Sequence, residues 1–404
     1  MNKRISLGLA ISLVAIGCAI TFILTWTVSL NNYNTKIAST EKYDGVYQKL
    51  REMDTTVRGN YIGTIDNDIL ESAIINGYVN GVGDKYAMYM SADLYYDYQQ
   101  TTGGVINGAG FEAEEDGSGY LRIVKIYKNS SAEANGIKLG DMITEIDGKS
   151  LLSMNAETAL KRISGEVGTT LSLRLVSNGE ERAVTLIRQQ IDVESVTYKM
   201  LNGNIGYIEI TSFNAKTPEQ FSSAFNSLNS SGAKAFIFDV RHNSGGLMSA
   251  VKPMLNRLIP AAAVATAEYK DGVRKTLIET DSEESVTTPI TVLVDNSTAS
   301  AAEVFAVGLR DEQGAQLVGT QTSGKAAFQS TYEFSDGSAL VLTTAYIIPS
   351  RSDRFDDVGL KPDYIIELPA DTSFDMLTPD YDTQLQKAIE ILTPQTGGDE
   401  TSNP

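Results

Sequence analysis

Three short stretches in the C-terminal half carry residue types that can do acyl chemistry. Asn296-Ser297-Thr298-Ala299-Ser300-Ala301-Ala302-Glu303 follows the apolar run Ile290 to Val294, and its small residues would seat a serine at a helix N-terminus with little crowding. The first-turn amides and the helix dipole at such a seat suit a developing oxyanion. The same residues also make an ordinary N-cap, because Ser and Thr cap helices. Thr322-Ser323-Gly324-Lys325-Ala326-Ala327-Phe328-Gln329 supplies a lysine. Lysine serves a serine as general base once burial brings its pKa from about 10.4 to near 7, at a cost of about 4 kcal/mol. Without burial it is a solvated turn residue. Gly319 and Gly324-Lys325 approach the phosphate-loop pattern, but Ala326 lacks its final hydroxyl and the segment does not follow the first strand of its domain. Arg241-His242-Asn243-Ser244-Gly245-Gly246, after Phe236 to Val240, offers paired glycines. These either let backbone amides approach a ligand or make a plain strand-to-helix turn.

Composition narrows the chemistry further. The 404 residues include 33 Lys and Arg against 51 Asp and Glu, a formal charge of −18 that repels polyphosphate and argues against nucleic acid as a partner. A single Cys and a single His leave no internal disulfide, no thiolate cluster and no multi-histidine site, so no metal or cofactor is expected. A Ser-His-Asp triad could use only His242, for which no matching acid is evident.

The elements that position these loops follow from texture along the chain. Lys3 and Arg4 precede an uncharged stretch from Ile5 to Leu30, whose strongly apolar part, Ile5 to Val28, is long enough to cross about 30 Å of hydrocarbon. Trp26 suits the interface, and the preceding positive pair puts the N-terminus in the cytoplasm. Residues 1–30 are therefore expected to be a single-pass anchor with everything after it outside the cytoplasm. Residues 31–100 are expected to be helical, with Tyr43, Val46, Tyr47, Leu50 and Met53 on one face. Residues 101–191 change to short strands, with turns at Asp147-Gly148 and Asn178-Gly179. Residues 192–370 alternate strands with helices, an α/β layer architecture in which ligand sites lie at strand C-terminal ends. Residues 371–404 are expected to be a helix followed by a disordered polar tail.

Taken together, these segments resemble a family. The ordered set Asp239-Val240-Arg241, Asn243, Gly245-Gly246, then Ser297 to Glu303, then Thr322, Gly324-Lys325 and Gln329 is similar to the carboxy-terminal processing, or tail-specific, serine proteases. Gly206 to Phe213, Leu342-Thr343-Thr344-Ala345 and Gly359-Leu360-Lys361-Pro362-Asp363 flank that set as the family's segments do. Gly108-Ala109-Gly110-Phe111 resembles the peptide carboxylate-binding loop of PDZ domains, and Ser131-Ala132-Glu133, Gly136-Ile137 and Gly140-Asp141-Met142-Ile143 fit the same pattern. Ser323 and Ala326 depart from the usual Phe and Gly beside the lysine.

The resemblance implies a PDZ domain over 101–191 and a crotonase/ClpP-like α/β protease core over 192–370. It implies Ser300 as nucleophile and Lys325, 25 positions on, as its base, with Gln329 orienting the lysine. Ala301 with Gly245 or Gly246 would form the oxyanion hole. Glu303 is expected to support the helix dipole, and His242 to be incidental. The implied substrates are unstructured C-terminal tails of proteins or peptides, held by PDZ strand addition. The enzyme would sit in a bacterial cell membrane with its catalytic part extracytoplasmic, and a homodimer through residues 31–100 is compatible with it. The rival, a catalytically silent membrane-anchored PDZ scaffold, predicts loss of the serine or the lysine, and both are present.

Overall fold

The computed structural model describes residues 44–283, 286–369, 374 and 377–396, with isolated positions between 17 and 27. Most of the expected anchor and the tail from 397 onward lie outside the described residues. Among the described residues, no helix is long and apolar enough to cross a membrane. The chain divides into two compact units, Met1–Ile74 and Ile75–Pro404. In the first, helix α1 (Asp44–Asn60) carries Val46, Tyr47, Leu50, Met53 and Val57 at three- and four-residue spacings, one face of a helix. Helix α2 (Asn67–Gly81) starts there and ends in the second unit; the Asp66 carboxylate caps it by accepting from the Asp68 and Ile69 amides.

The stretch expected to be helical to residue 100 contains a strand, β1 (Met88–Met90), ahead of helix α3 (Ala92–Gly103). Three residues carry no periodicity of their own. The strand exists because it pairs antiparallel with Ala339, Leu340 and Val341, far along the chain.

Next comes the small β domain. β2 (Val105–Gly108) and β9 (Gln189–Asp192) form its entry and exit ribbon. Between them lie β3 (Phe111–Glu115), β4 (Leu121–Ile126), β5 (Met142–Ile146), β6 (Lys149–Ser150), helix α4 (Ala156–Ile163), β7 (Thr170–Ser177) and β8 (Glu180–Ile187). The main sheet runs β3-β4-β5-β7-β8, leaving β3 as an edge strand. Asp147-Gly148 and Asn178-Gly179 both have positive φ at the two turn positions, as the hairpin signal requires. Ile123, Ile143, Ile146, Leu171, Leu175 and Leu186 pack its core.

The larger domain is built on a six-stranded sheet, β10 (Val196–Leu201), β11 (Ile205–Ile210), β12 (Ala235–Asp239), β15 (Ile290–Val294), β16 (Gln316–Gly319) and β19 (Tyr364–Ile365), in that spatial order. All pairs after β10-β11 are parallel. Continuous apolar strands are what a sheet covered on both faces requires. Phe236 and Phe238 of β12 enter one core with helices α5 (Thr217–Ser230), α6 (Met248–Leu255) and α7 (Ala301–Gln313). Ala235 and Ile237, on the other face, meet Leu385, Ala388 and Leu392 of the C-terminal helix α8 (Thr383–Thr396). A second sheet was not evident in the sequence pattern. In it, β18 (Ala339–Pro349) pairs with β17 (Ala327–Glu333), β1 and β13 (Ala262–Tyr269), and β13 pairs with β14 (Arg274–Thr280).

Candidate active site

The three chemistry-bearing loops leave the C-terminal ends of neighbouring parallel strands, β12, β15 and β16, and the fold stitches them together. Asp295 begins the serine loop. Its carboxylate accepts from the Ser297 and Thr298 amides at 3.0 and 2.9 Å and from the His242 amide at 3.1 Å. Thr298 Oγ1 donates to Val240 O at 2.8 Å, and the Ala299 amide to Asn243 O at 3.0 Å. The Ser323 amide donates to Thr298 O at 3.0 Å, joining the lysine loop to the same frame.

Ser300 sits at the N-cap of α7 with φ 53° and ψ −117°, a conformation that costs a non-glycine residue roughly 1–3 kcal/mol. The surrounding contacts hold that turn in place, and the elbow leaves Ser300 partly accessible at the mouth of the loop cluster. Ala301 follows as the first helical residue, so its amide has no intrahelical acceptor. Gly245 packs directly against the elbow: a Cβ there would lie 2.7 Å from Ala299 O, 2.9 Å from Ser300 Cβ and 3.0 Å from the Ala301 nitrogen. Gly246, at φ 129°, would strike Phe213 O at 2.2 Å. The two glycines differ in their amides. Gly245 N–H donates to Asn243 Oδ1 at 2.8 Å, whereas among the described residues Gly246 N–H has no acceptor.

Glu303 stands in the first turn of α7, as expected, and does more than support the helix dipole. It is fully buried, and its carboxylate accepts four hydrogen bonds. Oε2 takes the Ser300 and Lys325 amides, each at 2.9 Å; Oε1 takes Thr322 Oγ1 at 2.5 Å and the Gly324 amide at 2.8 Å. One carboxylate therefore clamps the backbones of both candidate dyad residues. Burial pushes its pKa up, and the four donors pull against that by favouring the ionised form. The Ser300-x-x-Glu303 spacing is a capping-box signal, which accounts for the Ser300 bond alone. The other three depend on where the lysine loop folds.

Lys325 is half-buried, and burial holds its ammonium below the ordinary lysine range against the opposing pull of the Asp84 and Glu303 carboxylates. Nζ lies 5.0 Å from the Tyr86 ring centroid. Among the described residues no hydrogen bond joins it to Ser300 Oγ or to Gln329. The Gln329 carboxamide instead donates to Tyr86 O at 2.8 Å. Asp84 and Tyr86 went unnoticed in the sequence because they stand in a stretch with only helical signals.

His242 does have an acid. Its Nε2 lies 3.2 Å from Asp295 Oδ2, and its ring packs 4.3 Å from that of Phe374. Beside it, the buried Arg241 guanidinium is bidentate to Asp239, at 3.0 and 2.6 Å, and reaches Asp382 of the C-terminal segment at 3.0 and 2.8 Å. Tyr207 Oη donates to Asp239 Oδ2 at 2.7 Å. This network anchors the start of the glycine loop.

At the small domain, Gly108, Ala109, Gly110 and Phe111 form the turn from β2 into the edge strand β3. Gly110 has φ 96°, and a Cβ there would lie 2.1 Å from Ser130 Cβ. Ala109 O and Gly110 O accept from the Ala132 and Tyr127 amides at 2.9 and 3.0 Å, while among the described residues the outer edge of β3 has no strand partner.

Comparison with known proteins agrees with this architecture. Residues 204–366 match peptidase family S41, and residues 105–176 match the PDZ domain. The carboxy-terminal processing protease CtpA of Bacillus subtilis (strain 168) is 34% identical over 372 residues, spanning 91% of this chain and 78% of that protein. The carboxyl-terminal-processing protease of Synechocystis sp. is 31% identical over 318 residues, 77% of this chain and 74% of that one. Among solved structures, a photosystem II D1 C-terminal processing protease aligns at a TM-score of 0.47 and 24% identity, covering 87% of this chain and 91% of the other.

Proposed function

This chain belongs to the carboxy-terminal processing serine proteases of peptidase family S41, and from that premise we propose that it cleaves near unstructured protein C-termini with Ser300 as nucleophile and Lys325 as general base. The observation that carries the assignment is the Glu303 clamp, which holds the backbone amides of Ser300 and Lys325 on one carboxylate oxygen. Ser300 Oγ attacks the scissile carbonyl while neutral Nζ of Lys325 takes its proton. The tetrahedral oxyanion faces the Ala301 amide and that of Gly246, which is the better glycine donor because the Gly245 amide is already spent on Asn243. One such donor is typically worth on the order of 10²–10³ in rate. Collapse breaks the C–N bond as Nζ returns the proton to the leaving amine. Water then attacks the acyl-enzyme, giving a proton to Nζ; the acyl C–O bond breaks, Nζ passes that proton to Ser300 Oγ, and the new carboxyl terminus leaves. Proton transfer needs Nζ within hydrogen-bond reach of Oγ, an approach that substrate-free enzymes often complete only on binding.

The PDZ domain would deliver the tail. The unpaired edge of β3 supports strand addition, and the turn Gly108 to Phe111 suits capture of the terminal carboxylate. The uncharged run Ile5 to Leu30 supports a membrane anchor with the protease outside the cytoplasm, and the apolar face of α1 supports pairing of two copies. Intact-mass analysis of a protein with an apolar unstructured tail tests the core assignment. Wild type should shorten the tail, and Ser300→Ala and Lys325→Ala should not; cleavage surviving either substitution refutes the dyad. Alkaline washing of membranes tests the anchor, since an anchored chain stays in the pellet.

A further inference from the structure

The turn Asp84-Lys85-Tyr86 lies between α2 and β1, far from every chemistry-bearing loop in the sequence, and its contacts converge on Lys325. The Asp84 carboxylate accepts from the Thr343 amide at 2.8 Å, from Thr343 Oγ1 at 3.0 Å and from the Tyr86 amide at 3.0 Å. Thr343 lies in the part of β18 between its pairing with β1 and its pairing with β13, where Asp84 takes the place of a neighbouring strand. Lys85 forms an ion pair with Asp357, whose amide donates to Gly324 O at 2.9 Å, immediately before Lys325. Tyr86 is thus tied down on both sides. Its ring stands 5.0 Å from Lys325 Nζ and 4.8 Å from Lys85 Nζ, and its carbonyl holds the Gln329 carboxamide.

We propose that Tyr86 is a positioning residue for the general base: its ring shields the Lys325 amine from water while its carbonyl fixes Gln329, and Asp84 anchors the turn that presents both. The inference rests on Lys325 being the base. The charged groups facing that amine are Asp84 and Glu303, both of which favour the ammonium, while Lys85, also near the Tyr86 ring, is paired with Asp357. An aromatic face also attracts the ammonium, by about 0.5–1 kcal/mol at an exposed site. Burial is the larger influence on Lys325 and acts in the opposite sense. Removing the ring therefore raises the lysine pKa, whereas removing the Asp84 charge lowers it. Two substitutions in one turn move one titration in opposite directions.

The test reads the lysine directly. In full-length Ser300→Ala protein, acetylation of Lys325 by acetic anhydride is followed by peptide mass across pH, with Tyr86→Ala, Tyr86→Phe or Asp84→Asn added. Tyr86→Ala should shift half-modification upward by about one pH unit, equivalent to about tenfold less neutral amine at pH 7. Tyr86→Phe, which keeps the ring, should bring it back, and Asp84→Asn should shift it downward. With Ser300 present, the rising limb of kcat/KM against pH should move in step, with KM little changed. A Lys325 titration unmoved by Tyr86→Ala overturns the proposal. If that variant does not fold, Tyr86→Leu replaces it, and an unmoved Lys325 titration there overturns the proposal instead. Activity surviving in Lys325→Ala would sink the dyad while leaving the titration result standing, so the two failures are distinguishable.

Discussion

Replacing Glu303 by Gln keeps the shape of the side chain and removes its charge, so it isolates what the clamp contributes. All four partners of the carboxylate are donors in the native site: the Ser300, Gly324 and Lys325 amides and the Thr322 hydroxyl. An amide side chain has one oxygen, which serves two of them. The less costly orientation keeps that oxygen on Ser300 and Lys325 and points the new NH2 at Thr322 and Gly324. The Thr322 hydroxyl can turn and accept, although its oxygen already takes the Leu360 amide at 2.6 Å. The Gly324 amide is left facing another N–H. Loss of one hydrogen bond to a charged acceptor costs about 1.5–3 kcal/mol, and the bonds that remain weaken from charged to neutral strength. Relief from burying a charge offsets part of this, for a net loss of about 2–4 kcal/mol. A protein with about 5–15 kcal/mol of stability stays folded after such a loss. The catalytic effect should be larger in proportion, because a displacement of about 1 Å at the nucleophile or base costs on the order of 10²-fold. Urea unfolding and cleavage of a tailed substrate, measured on the same preparation, check both numbers. Glu303→Gln with wild-type midpoint and wild-type turnover would show that the clamp does not organise the site.

Four further outcomes follow from the same geometry. Lys325→Met should abolish cleavage yet raise the urea midpoint at pH 7. A lysine whose folded pKa lies below its unfolded value costs stability while protonated, so the gain should shrink as pH rises from the lowered pKa toward 10.5. Gly245→Ala should cut turnover by on the order of 10²-fold with the fold retained, since the added methyl meets Ala299 O and Ser300 Cβ; unchanged kcat would refute the packing of the glycine loop on the elbow. Asp382→Ala leaves the Arg241 guanidinium short of a buried partner, so the unfolding free energy should fall by about 3 kcal/mol or more, and limited proteolysis should reach the C-terminal helix first. Gly110→Val forces a side chain into Ser130 at positive φ and should weaken peptide binding to the PDZ domain; a lower kcat on short saturating peptides would indicate coupling to the active site, and an unchanged one delivery alone.

Much of the site was legible along the chain because its parts are local. Ser300 and Lys325 each stand in a loop whose small residues and preceding apolar strand are contiguous, and their separation is a countable spacing. The Asp147-Gly148 and Asn178-Gly179 turns were equally legible, since positive φ is a property of two residues. Strand β1 and the β13–β18 sheet were not, because their pairing partners are distant and the short strand has no pattern of its own. Glu303 was half legible: its place in the first turn of a helix was readable as an acid suited to the dipole, while its bonds to Thr322, Gly324 and Lys325 depend on another loop.

Residue types and order thus set the chemistry available to this chain: an acidic protein with one histidine, one cysteine, a serine on a helix start and a lysine in a glycine-bearing loop. Whether that lysine could serve as a base was a question about its surroundings. Those surroundings come from Tyr86, whose carbonyl holds Gln329 from 243 positions away, from Asp84 on Thr343, and from a carboxylate buried where the serine and lysine loops meet. A pKa responds to burial and to charges within a few ångströms. Distances of that kind between remote residues exist only once the sheets have assembled.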